Sequence, residues 1–350
     1  MIAPAGGFRE KGSCMVGSSL LVCVFVLGLF AQTAAAQQET ITMAVLSVFP
    51  TRHETGAKSV AGFLVSTDQG QTWQRRGWRD YNRLFYCEQA SDGTIWCACG
   101  NGVLRSTDGG YRWRTTTGWE VTEVLKVKAA ETDPSLVFAS TAYGIFRSTD
   151  GGDSWEKNGR GLRRPCSGDI CIDRTDPRRV IAATEVGVYL SEDKGDHWTA
   201  AGLEGTGVRV VVQDPHDTRR FWLGTEDKGV FSSGDGGRHW EPRTQGIVHP
   251  TVYAIAVHPE KQGWIYIGTW GGGVYMSADN GSQWKQSSRG LTDPEVHSIL
   301  ILPSDPRIVF AGTLNRGLFR STDGGESWQY HCQDDSQIWG MSVRSAQGPK

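Results

Sequence analysis

One eight-residue phrase recurs seven times in this chain, and its spacing constrains the fold more than any other feature. The copies run from Ser66 to Trp73, Ser106 to Trp113, Ser148 to Trp155, Ser191 to Trp198, Ser233 to Trp240, Ser277 to Trp284 and Ser321 to Trp328. Each reads Ser-x-Asp-x-Gly-x-x-Trp. The aspartates are Asp68, Asp108, Asp150, Asp193, Asp235, Asp279 and Asp323. Successive tryptophans (Trp73, Trp113, Trp155, Trp198, Trp240, Trp284, Trp328) lie 40, 42, 43, 42, 44 and 44 residues apart. A period of this size, filled with strand-like segments, predicts four-stranded blades of an all-β propeller, and seven copies predict seven blades.

The seventh repeat shows the grammar. Val296 to Leu302 reads as a first strand and Ile308 to Thr313 as a second. Leu318 to Ser321 reads as a third, and Trp328 opens a fourth. β-branched and aromatic residues fill the strands, while Gly, Asp and Pro punctuate them. In the repeated phrase the Asp is expected to accept backbone N–H groups of its turn. The last Gly supplies a positive φ. The Trp carries a large apolar surface back between sheets. All seven Asp and all seven Trp are therefore assigned to the scaffold. The stretch Gln337 to Val343 resembles one more first strand. Ile41 to Val48 precedes a third-strand match at Gly62 to Ser66, so the ring is expected to close by pairing the two ends of the chain in one blade.

Residues 1–36 read as a secretory signal. Arg9 and Lys11 precede an apolar core from Leu20 to Phe30, and Ala34, Ala35 and Ala36 offer a cleavage site. Residues 37–350 form the propeller. The protein is expected to be secreted or periplasmic and not integral to a membrane once the signal is removed. Six cysteines follow the signal: Cys87, Cys97, Cys99, Cys166, Cys171 and Cys332. An even count in an exported chain suggests disulfides; Cys87 with Cys97 or Cys99 flanks a turn suited to a bridge. No cofactor and no metal are expected, since Cys97-Ala-Cys99 matches neither a zinc knuckle nor a redox pair. A net charge of -2 without a basic block argues against a nucleic-acid partner.

The phrase is identified as the Asp-box, or BNR repeat, and the resemblance covers essentially the whole of residues 37–350. Propellers of this family include sialidases, xyloglucan-active glycoside hydrolases, sortilin-type receptors and assembly factors for photosystem II. The chain departs from each enzyme pattern. Between residues 37 and 110 there is no Arg-Ile-Pro motif of the sialidase kind. The xyloglucan-active enzymes resemble two such propellers clasping a cleft with one catalytic Asp from each, and here there is one. Sortilin-type receptors have larger propellers and a cysteine-rich region. The assembly factor matches in size and blade number.

Ligands of propellers usually meet the face opposite the Asp-box turns. The loops expected there carry Trp78, Arg79, Tyr81, Trp119, Tyr143, Arg163, Trp270, Arg316 and Trp339 as candidate ligand-binding residues. Rings stack on sugar or peptide surfaces, and guanidinium groups fork onto carboxylates. The plainer alternative is inter-blade packing for the rings and a solvated rim for the arginines. A glycoside hydrolase would need two carboxyl groups about 5–9.5 Å apart. Asp80, Asp169 and Asp334 are the first candidates among eight loop carboxylates, the others being Glu120, Glu185, Asp227, Asp293 and Asp335. The leading expectation is a non-catalytic binder of a protein segment or cell-surface glycan. A polysaccharide-active glycoside hydrolase is the alternative. A monomer is expected, with docking to a second propeller as the route to a cleft.

Overall fold

A computed structural model describes residues 39–47, 62–77, 83–164, 167–333 and 336–344, all within the unit Gln37–Lys350. Twenty-eight strands form seven four-stranded antiparallel sheets, and among the described residues there is no helix. Blade 7 is Val296–Ile301, Val309–Thr313, Leu318–Ser321 and Gln329–Cys332. The sequence reading fits within a residue or so, except that Trp328 ends the turn and the fourth strand begins after it. Blades 2 to 6 begin with inner strands Leu84–Gln89, Val124–Ala129, Ser167–Ile172, Val208–Gln213 and Val252–Val257.

Blade 1 takes its inner strand from the far end of the chain. Ser336–Arg344 pairs antiparallel with Thr40–Ser47, which pairs in turn with Gly62–Ser66 and then Gln74–Arg76. The expected closure is therefore present. Ile41, Met43, Val45 and Leu64 of this blade pack with Leu300, Leu302, Ile308 and Phe310 of blade 7 and with Ile338 and Met341. Polar contacts cross the same seam. Glu39 accepts from the Ser304 hydroxyl at 2.5 Å, and the His331 Nε2 lies 2.6 Å from the Gly70 carbonyl.

The Asp-box turn works as a latch within and between blades. Each Asp accepts backbone N–H groups of its own turn; Asp68 takes that of Thr72 at 2.9 Å. The Ser of each phrase, given no task in the sequence reading, is as important. Its hydroxyl donates to the Asp carboxylate at 2.7–2.9 Å in all seven copies. It also accepts from the buried N–H of the last Gly at 2.7–2.9 Å. The tryptophans reach back to the preceding blade. Trp155, Trp198, Trp284 and Trp328 donate their indole N–H to Thr116, Asn158, Arg243 and Ser287, each just after that blade's outer strand.

Two predictions arise here. Ser148 is 2% exposed, so Ser148→Ala leaves the Gly152 N–H buried and unpaired and should cost about 1–3 kcal/mol in a urea titration. The second concerns acid. Burial pushes the Asp68, Asp193 and Asp323 carboxyls up, but hydrogen bonds from their turns outweigh it and bring them from 3.8 down to about 2. Asp150 and Asp235 fall further still. Groups depressed on folding contribute stability that is complete above their unfolded value. That stability is lost as the pH falls from about 3.8 toward about 2. Unfolding midpoints measured across this window should drop steeply. A flat profile would mean that the Asp-boxes add nothing to the fold.

Candidate functional site: a ring-lined collar at the channel mouth

Each Asp-box joins a third strand to a fourth. Antiparallel order then places the loops between strands two and three, and between blades, at the opposite end. The inner strands begin at that end, and each carries one extra residue there. Pairing with the second strand slips between Leu84 and Tyr86, Val124 and Lys126, Ser167 and Asp169, Val208 and Val210, Val252 and Ala254, and Val296 and Ser298. In blade 1 the slip falls opposite Ala44 and Val45, which skip Trp339. A β-bulge leaves its extra residue outside the ladder and re-aims the side chain. The seven bulge residues are Phe85, Leu125, Gly168, Arg209, Tyr253, His297 and Trp339.

Five of them, on adjacent blades, touch in series. The Arg209 guanidinium lies 5.9 Å from the Tyr253 ring centroid. Tyr253 stacks on His297 at 4.4 Å with 9° between the planes. His297 meets the Trp339 ring edge-on at 4.7 Å, and Trp339 meets Phe85 at 6.1 Å. Trp270, from the loop between the second and third strands of blade 6, closes over the middle of this arc. It lies 6.0 Å from both Tyr253 and His297 and is 43% exposed.

The polar groups of the collar are few and mostly engaged. Arg209 pairs with Glu226 at 2.7 Å, and the Trp339 indole donates to the Gln337 side chain at 2.8 Å. His297 differs. It is 7% exposed, and neither ring nitrogen has a hydrogen-bond partner among the described residues. Burial brings its imidazole down to about 4, with Asp293 opposing and Arg209 adding to the shift. Asp293 is itself spent on the backbone N–H groups of Glu295, Asn315 and Arg316.

Deeper in the channel the wall is uneven. On blades 2 to 4 the next positions carry Tyr86, Glu88, Lys126, Lys128 and Asp169. Lys128 reaches Glu88 at 2.7 Å and the Tyr86 hydroxyl at 2.5 Å, and Lys126 lies 3.6 Å from Asp169. Burial lowers Lys126. Lys128 is raised well above its ordinary value, because Glu88 and Tyr86 outweigh the opposing effect of burial. Blades 5, 6, 7 and 1 place Val210, Ala254, Ser298 and Gly340 at the position matching Lys126.

The sequence-based candidates are divided by this geometry. Trp270 and Trp339 meet around His297. Trp119 is 91% exposed on the loop from blade 2 to blade 3, and Tyr143 is 56% exposed within blade 3. Arg163 borders a groove of about 450 Å³ together with Arg164, Val186, Tyr189 and Glu204. Arg316 is exposed, with its backbone N–H on Asp293. Asp169 is buried, accepting from the backbone N–H groups of Ile170 and Val211 besides pairing with Lys126. Trp78, Arg79, Asp80, Tyr81 and Asp334 lie outside the described residues. Phe85, Arg209, Tyr253 and His297 were not among the candidates of the sequence reading. Aligning the seven first strands would have shown them at one shared position.

The fold and its turns define an Asp-box propeller, and residues 64–75 match the BNR/Asp-box repeat. The chain belongs to the family described as photosynthesis system II assembly factor YCF48, whose family model matches residues 100–339. A comparison with curated proteins finds no match. Among solved structures, the chain is similar to the GH74 enzyme of Niastella koreensis at 15% identity and a TM-score of 0.67. That match covers 85% of this chain and 55% of the enzyme, so the chain spans about half its length. It is similar to YCF48 bound to D1 peptide at 16% identity and a TM-score of 0.55, covering 76% of this chain and 93% of that one. The extracellular domain of BT4673 from B. thetaiotaomicron is 14% identical with a TM-score of 0.60, covering 82% and 40% respectively. At these identities the likeness is one of fold. Among the described residues no helix is long and apolar enough to cross a membrane.

Proposed function

We propose that this propeller is an exported, non-catalytic binder that holds a segment of another protein against the face opposite its Asp-box turns. The collar of Arg209, Tyr253, Trp270, His297, Trp339 and Phe85 is the observation that carries the reading. It offers contiguous ring surface with few free polar groups, which suits apolar side chains of an extended chain. Membership of the YCF48 family supports it, as does the likeness to a propeller solved with a peptide bound.

The test is binding of the purified protein to a peptide array, with collar and control variants. Trp339→Ala should weaken capture about tenfold or more. Tyr111→Ala, an exposed ring in an Asp-box turn on the other face, should not. The likeness to a GH74 enzyme motivates the competing outcome. Release of reducing ends or sialic acid from xyloglucan, β-glucans or sialosides would overturn the proposal.

Export carries its own checks. N-terminal sequencing of the mature protein should begin near Gln37. Cys87 and Cys97 are direct partners across neighbouring strands and both are buried, which favours this pair over Cys87 with Cys99 for a bridge in an oxidising compartment. In this structure both are free thiols. Alkylation of the denatured, unreduced exported protein should leave them unlabelled.

A further inference from the structure

We propose that His297 is the specificity group of the collar: it hydrogen-bonds the backbone of the bound segment beside one flat side chain, aromatic or proline, that takes the place of Trp270. This rests on the protein-segment reading and specifies what the segment must carry.

The argument begins with the unpaired imidazole. A neutral histidine has one N–H donor and one nitrogen acceptor. Both are buried here, and among the described residues no group meets either. Buried polar groups in folded proteins are almost always paired, so an orphan of this kind calls for an explanation. Packing alone does not supply one, because a phenylalanine would stack on Tyr253 as well and leave nothing unpaired.

The surroundings then select the ligand. The walls are the faces and edges of Tyr253, Trp270 and Trp339, and the Trp339 N–H is already given to Gln337. A sugar ring brings several hydroxyls, each needing partners; buried and unpaired here are the one donor and one acceptor of His297 and the Arg209 Nε–H. A cationic side chain is opposed by Arg209, which lies over Tyr253. An anionic one finds Arg209 already paired with Glu226. What remains is a flat, neutral group followed by one peptide unit, which has one C=O and one N–H to offer.

Access selects the moving part. The His297 nitrogens are covered, whereas Trp270 is 43% exposed and is held against His297 and Tyr253 only through tilted ring contacts. Trp270 is the wall that can turn outward at least cost. The incoming ring replaces its contacts, and the peptide unit reaches the imidazole.

The test uses the full exported chain and an array of alanine–serine peptides. Each peptide carries a single Phe, Tyr, Trp, Pro, Leu or Ser at its centre. Wild-type protein should prefer the four flat residues over Leu and Ser. His297→Phe should bind those peptides about tenfold more weakly while melting at a higher temperature than wild type. His297→Gln, which keeps a donor and an acceptor, should restore part of the affinity. Lower affinity with raised stability separates a ligand contact from a structural role, which predicts that stability falls. Peptide binding that ignores the central residue, and that His297→Phe leaves unchanged, overturns this inference alone. Binding of no peptide at all overturns it together with the protein-segment reading.

Discussion

Removal of residues 336–350 should leave a protein without a cooperative thermal transition. The strand Ser336–Arg344 is the innermost of blade 1 and contacts both neighbouring blades. Ile338 is fully buried and Met341 is 7% exposed. Fully burying an aliphatic side chain is worth about 1.5–3 kcal/mol. The two together approach the roughly 5–15 kcal/mol by which whole domains are stable. The deletion also uncovers Ile41, Met43 and Val45 and leaves Thr40–Ser47 as an exposed edge, which invites pairing with other chains. Circular dichroism on heating should show a broad or absent transition, and size exclusion should show aggregates. A sharp melt at the full-length temperature would mean that the ring is held without this strand.

The second large effect is expected at Gly70, on the same seam. Its φ is +74°, and a Cβ built there would lie 2.3 Å from Cζ of Phe310. Phe310 has no room to retreat. It is fully buried, with Trp73 at 6.3 Å and His331 at 6.2 Å. Gly70→Ala should therefore cost about 1–2 kcal/mol for the left-handed backbone and about 1–3 kcal/mol for overpacking. Gly151 provides the comparison. Its φ is +69°, yet nothing lies within 4 Å of the added carbon. Gly151→Ala should show the backbone cost alone. Equal losses in the two variants, read from urea midpoints, would show that the last blade does not fit tightly against the first.

The difference between what could be read in advance and what could not has a physical origin. The Asp-box writes the turn between third and fourth strands into the chain seven times, so the blade count, the strand order and the closing strand at Gln337 to Val343 all follow. The work of Ser66 and its six counterparts was in plain view, yet a serine beside an Asp-turn suggests solubility before it suggests a buried latch. The collar is harder to see. A bulge is a property of the pairing between two strands, and Val296-His-Ser-Ile reads by itself as unbroken alternation. The seven bulge positions hold Phe, Leu, Gly, Arg, Tyr, His and Trp, with no shared chemistry to mark them. Trp270 and Trp339 were singled out for their aromatic character. That His297 lies between them depends on the curvature of the ring, which sets Trp270 and Trp339, 69 positions apart, against one imidazole.

The closing blade also sets an order of events. The Thr42 hydroxyl meets that of Ser342 at 2.7 Å across 300 positions of chain. Among the described residues the inner strand of blade 1 comes from Ser336–Arg344 alone, so this ring stays open until that strand has been synthesised and delivered. Pairings between such distant parts form slowly, because a long loop must close before any contact rewards it. Once docked, the final strand holds blade 1 against both neighbours. Completion of the ring is thus expected to be the slow step of folding, timed by a strand made after every other described one.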